Sequence, residues 1–156
     1  MQRKETMMKA IALAAGVVMA AMPALAQDLV AKVSPHDVPT TMDRLESAVE
    51  AAGAEVFARV DHAAGAEKAE MELRPTQLLI FGNPKLGTPA MQDAQTAGLD
   101  LPMRVLVYAD GEGAVHVTYA APETLVTAHG LPEEAEYLTK MTKALDNLTA
   151  KAIGEE

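Results

Sequence analysis

Leu78-Leu79-Ile80-Phe81 is an unbroken apolar run held between turn formers at Pro75 and Gly82, and it constrains the fold more than any other stretch. Side chains along a strand alternate between the two faces of a sheet. Four apolar residues in succession therefore predict an inner strand buried on both faces. The surrounding segments supply its partners. Leu29 to Val33 reads as a strand before Ser34-Pro35. Val56, Ala58, Val60 and His62 alternate with Phe57, Arg59 and Asp61, a strand pattern with His62 at its exit. Met103 to Tyr108 reads as a strand, and Val115, Val117 and Tyr119 mark another; between them Asp110-Gly111-Glu112-Gly113 reads as a hairpin turn.

Two segments carry a clear helical period. In the first, Thr40 or Thr41 suits the N-cap, Met42, Leu45, Ala48, Val49 and Ala52 form the apolar stripe, and Gly53 closes it. In the last, Pro132 suits the first turn, and Glu133, Glu134 and Glu136 sit at the positive end of the dipole. Ala135, Leu138, Met141, Leu145, Leu148 and Ala152 form its buried stripe, Glu136 and Lys140 form an exposed pair, and Gly154 stops it. Ala63 to Leu73 predicts a short surface helix ended by Pro75, and Gly87 to Gly98 a loop or short helix. The order is strand, helix, four strands, helix. That is the α+β class, a mainly antiparallel sheet of about five strands with helices packed on it.

The first residues bear on location. Arg3, Lys4 and Lys9 precede an apolar stretch from Ala10 to Ala21, and Ala24-Leu25-Ala26 matches a signal-peptidase pattern. Residues 1–26 are expected to be a signal peptide cleaved between Ala26 and Gln27, leaving a single domain over 27–156 in the periplasm, with no membrane span. Cleavage takes away three basic residues and one acidic residue. Net charge then moves from −9 to −11, with 10 basic against 21 acidic residues. So acidic a surface disfavours nucleic acid. The chain has no cysteine, which excludes disulfides, a thiolate nucleophile and a cysteine-based metal site. Met42, Met71, Met91, Met103 and Met141 are spread along the domain and read as core packing.

Ile80-Phe81-Gly82-Asn83-Pro84-Lys85-Leu86-Gly87-Thr88 has the look of a phosphate loop. A Walker loop, however, needs Lys then Ser or Thr after its second glycine, and Thr88 and Pro89 stand there instead. The stretch reads as a chain reversal in which Gly87 takes a left-handed backbone, with Thr88 as N-cap and Pro89 as first helical residue. Together with Asp61-His62, Leu73-Arg74-Pro75-Thr76, Leu99-Asp100-Leu101-Pro102, Arg104, Tyr119, Pro122 and His129, it resembles the domain of unknown function 302 family. The resemblance covers about Val38 to Ala152 and implies a TBP-like α+β plan without supplying a reaction. Ala90 stands where relatives often have a larger apolar residue, a departure that would widen a local pocket.

The polar residues carried by that resemblance, His62, Arg74, Asn83, Asp100 and His129, are the candidate ligand contacts. Each also has a plainer role: Arg74 pairing with Asp100, Asp100 capping a turn, the histidines held by separate hydrogen bonds. No metal-binding histidine spacing and no serine nucleophile motif is present, so no cofactor or metal is expected. The expected function is a non-enzymatic module for a small anion or apolar ligand, or an accessory domain, with a second copy of the chain among its expected partners. The alternative is a small enzyme in which His62 and His129 meet beside Asn83 for acid–base work.

Overall fold

The computed structural model describes residues 28–155. The N-terminal basic and apolar segment and its cleavage pattern lie outside the described residues. Five strands, β1 (Leu29–Ser34), β2 (Glu55–Asp61), β3 (Thr76–Gly82), β4 (Met103–Ala109) and β5 (Val115–Ala120), form one antiparallel sheet. Their order across it is β1-β5-β4-β3-β2. The helices are α1 (Val38–Ala51), α2 (His62–Lys68), α3 (Pro84–Asp93), α4 (Thr124–His129) and α5 (Glu136–Ile153), with a 3₁₀ turn at Gln95–Leu99. The α+β class and five-stranded antiparallel sheet expected from the sequence are present.

Helices α1 and α5 lie side by side on one face. Met42, Leu45 and Val49 of α1 and Leu145 and Leu148 of α5 pack on Leu79, Phe81, Val105, Val107 and Val117. A smaller apolar cluster joins α3 to α5 through Ala90, Ala97, Leu131, Leu138 and Met141. The other face of the sheet carries no helix layer among the described residues. Leu78 and Ile80 point there and are only half-buried, while Leu79 and Phe81 are buried. The expectation that β3 is buried on both faces is therefore corrected. The described residues cover one face and leave the other open.

Helix boundaries also differ from the expected ones. Asp37, not Thr40 or Thr41, caps α1, accepting from the Thr40 amide at 2.8 Å, and Pro39 fills the first turn. Thr41 instead sits inside the helix, its hydroxyl bonded to Ser34 Oγ at 2.7 Å. Helix α2 ends at Lys68, well before Pro75, and Glu70 turns the chain with φ 58°. Helix α5 begins at Glu136, so Pro132, Glu133, Glu134 and Ala135 precede it. Its stripe of Leu138, Met141, Leu145, Leu148 and Ala152 is buried, the Lys140–Glu136 pair closes at 2.9 Å, and Gly154 ends it at φ 89°. Helix α4 had no counterpart in the sequence reading.

Tyr137 in α5 gives the fold a measurable alkaline limit. Its hydroxyl donates to Asp93 Oδ2 at 2.7 Å. Burial and the adjacent carboxylate push the phenol up from 10.0 to about 12. The folded state thus holds the neutral form longer than the unfolded chain does. Its contribution is complete below the ordinary value and is lost as pH rises through the folded one. Wild type should lose urea resistance between about pH 10 and 12, and Tyr137→Phe should lose less over that window. Parallel pH profiles for the two proteins would contradict this.

Candidate functional site

Where β3 ends, three segments diverge around an apolar cavity of about 560 Å³. Asn83 stops the strand and starts α3, its Oδ1 accepting from the Lys85 amide at 2.9 Å, with Pro84 as first helical residue. The expected start at Thr88-Pro89 is thus one turn too late: both residues, and Gly87, lie inside α3. Gly87 does not adopt a left-handed backbone either. Its Cα faces the cavity, and a Cβ there would touch only Leu101 Cδ1 at 3.9 Å and Met91 Cε at 4.0 Å. Gly82 has a tighter reason for lacking a side chain, since a Cβ would meet Pro102 Cβ at 3.2 Å.

The remaining walls come from far apart in sequence. A register shift between Val56 and Ala58 lets Phe57 leave the regular ladder, and it lines the mouth at 52% exposed. Met91, Met103 and Met141, spread through the sequence, converge on the same cavity. Leu145 and Leu148 of α5 close the floor. The polar lining is confined to Asn83, Thr88, Asn147 and Lys151. Flexible thioethers and an aromatic ring around a space of this size suit a small apolar molecule. Ala90 is not in the wall. It is wholly buried in the second apolar cluster, so the departure noted there packs α3 rather than widening the cavity.

Asp100 and His129 do meet, just beyond Leu101. His129 ends α4, where Gly130 turns the chain at φ 69°, and its side chain is 7% exposed. Its Nε2 lies 2.7 Å from Asp100 Oδ2 and its Nδ1 3.2 Å from Thr96 Oγ1. A neutral ring donates from Nε2–H to the carboxylate and accepts the threonine hydroxyl at Nδ1, so both nitrogens are occupied. Asp100 Oδ1 accepts from Arg104 Nη2 at 3.2 Å. Asp100 is therefore a bridge between side chains, not the turn cap expected for it.

His62 and Arg74 lie elsewhere. Asp61 pairs with Gln77, so His62 follows at the opposite end of β3 from Asn83, more than about 20 Å away at about 3.3 Å per residue. The proposed meeting of His62 and His129 beside Asn83 does not occur. Arg74 Nε donates to the Ala109 carbonyl at 3.1 Å rather than pairing with Asp100. It borders a shallow groove of about 860 Å³ shared with Asp61, Glu67 and Glu72. His116 is bonded to Asp110 Oδ2 at 2.7 Å and stacks on Tyr108. That contact holds the Asp110 carboxyl below its usual range. Among the described residues no cluster of three metal-ligating side chains occurs.

Comparison with known proteins adds relatives to this geometry. Over 128 residues the chain is 42% identical to fluoride-specific ion channel FluC 1 of Brucella suis, a match covering 81% of this chain and 50% of that protein. Fluoride-specific ion channel FluC 1 of Brucella abortus is similar to the same degree, with 47% of its length covered. The chain thus spans about half the length of the curated relatives it matches. The crystal structure of an uncharacterized conserved protein from Bacillus stearothermophilus superposes with a TM-score of 0.73 at 19% identity, covering 81% of this chain and 99% of that one. This likeness shows a shared fold. The sequence model of the domain of unknown function DUF302 matches residues 30–148, and the chain belongs to that family.

Proposed function

We propose that the protein is a non-enzymatic accessory domain of the periplasm that binds a small apolar ligand. The observation that carries this reading is the cavity beside Asn83, apolar except for a few groups at its margin. The acid–base alternative rested on His62 meeting His129 beside Asn83, and the two lie at opposite ends of β3, with His129 bonded to Asp100 and Thr96 instead. The basic and apolar start of the chain, followed by Ala24-Leu25-Ala26, supports export.

The accessory part of the reading draws on the Brucella relatives. Each is named as an ion channel, and about half of each lies outside the match. No helix among the described residues here is long and apolar enough to cross a membrane. We take from these names and partial matches that this domain works as an accessory to a partner protein.

Gly87→Leu separates binding from folding. A Cβ at this position meets only ordinary contacts on the cavity wall, and leucine in place of glycine favours helix α3 by up to about 0.8 kcal/mol. Binding of the fluorescent apolar probe N-phenyl-1-naphthylamine should fall by at least about tenfold, with thermal stability unchanged or raised. A wild-type protein that neither binds the probe nor carries a small molecule in native mass spectrometry would overturn the reading.

A further inference from the structure

The cavity beside Asn83 is not apolar all round, and the character of its margin narrows what it would hold. The chain carries 22 acidic residues against 13 basic ones. Yet among the described residues that line the cavity there is no carboxylate and one cation, Lys151. Lys151 stands on α5 one turn after Asn147 and follows Leu148, on the stripe that starts at Met141 and Ala144. Residues three and four apart share one face of a helix, so α5 presents to the cavity an apolar floor that ends in an amide and an ammonium. Asn147 and Lys151 are both exposed, which places these polar groups where the cavity meets water.

A lysine in the last turn of a helix has a plainer use, binding the free carbonyls there. That work is done by Arg44, whose Nε and Nη2 donate to the carbonyls of Ala152 and Lys151 at 3.0 Å each. Nor is Lys151 held by a carboxylate. Lys32 closes on Asp146 and Lys140 on Glu136, while Lys151 forms no ion pair among the described residues. An unpaired ammonium at the edge of a wall of leucine, methionine and phenylalanine matches a molecule with an apolar body and one anionic end. The Asn147 amide offers a second donor, and a carboxylate has two oxygens to accept from the pair. Small anions without an apolar body gain nothing from the wall and are repelled by a chain of net charge −9. A volume of about 560 Å³ lies in the range of sites for small organic ligands. We infer, on the footing of the ligand site proposed above, that the cavity takes an amphiphile with a single carboxylate, the size of a medium-chain fatty acid. Its chain lies among the methionines and its head at Lys151 and Asn147.

Displacement of N-phenyl-1-naphthylamine from the intact protein by straight-chain compounds tests this. Affinity should rise about fourfold per methylene from hexanoate to decanoate, the increment for burying one CH₂. Decanoate should bind at least about threefold more tightly than decanol, and decylammonium more weakly than either. In Lys151→Glu the ratio of decanoate to decanol affinity should fall by about tenfold or more, since attraction at the head becomes repulsion. Lys143→Glu makes the same change of charge on α5 outside the cavity lining and should leave that ratio within about twofold of wild type. Decanol binding as tightly as decanoate would overturn the carboxylate assignment while the apolar site stands. So would a ratio that Lys151→Glu leaves unmoved or that Lys143→Glu moves equally. A wild type that binds neither the probe nor any of the chains would overturn both.

Discussion

Leu79→Ala is expected to lower the unfolding free energy by about 2–5 kcal/mol, and Ile80→Ala, one residue further on, by well under half of that. Leu79 is wholly buried against the helix layer, where truncation leaves a cavity that the sheet cannot collapse to fill. Ile80 points to the open face and keeps contact with water already. Urea unfolding at low protein concentration measures both, provided that the slope of the transition is unchanged. Equal losses would mean that the outer face is covered within the single chain.

His129→Ala should cost about 1.5–3 kcal/mol, the range for losing a hydrogen bond to a charged group. The ring ties the end of α4 to Asp100, which in turn holds Arg104 at the start of β4. Removing it frees one carboxylate oxygen and leaves a gap where a nearly buried side chain stood. His62→Ala, at the other end of the sheet and exposed, should change stability by less than about 0.5 kcal/mol. A His129→Ala protein with an unchanged urea midpoint would remove the structural role assigned to this histidine and return it to the candidates for chemistry.

How far the sequence could be read depended on whether the deciding contact was local. Alternation and apolar runs placed all five strands because each strand's period is set by its own residues. Whether β3 is covered on its second face is not a property of β3, and Leu78 and Ile80 read the same with or without a cover. At Asn83-Pro84 and Thr88-Pro89 the sequence offers two plausible helix starts one turn apart. The chain uses the earlier because β3 ends at Gly82, and Ala90 is then carried into the second apolar cluster. The cavity was not legible, since Phe57, Gly87 and Met141 share no spacing and meet through the tertiary fold. The family resemblance marked both His129 and Asp100, yet their contact spans 29 positions and was not foreseen. It also marked His62, which the strand direction sends to the far end of the sheet.

The cavity lies between the two apolar clusters: Phe81, Leu145 and Leu148 belong to the sheet core, and Met141 to the cluster under α3. An occupant there would sit between two packed units and be counted by both. Binding to the folded chain alone raises its stability by RT ln(1 + [L]/Kd), about 2.7 kcal/mol at a hundredfold excess over Kd. The melting temperature of this protein would thus report any molecule that binds there as proposed. Cell extracts fractionated by polarity and scored by the shift they produce would reveal such a molecule before its chemistry is known, and Gly87→Leu, with a side chain placed in the cavity, supplies the comparison.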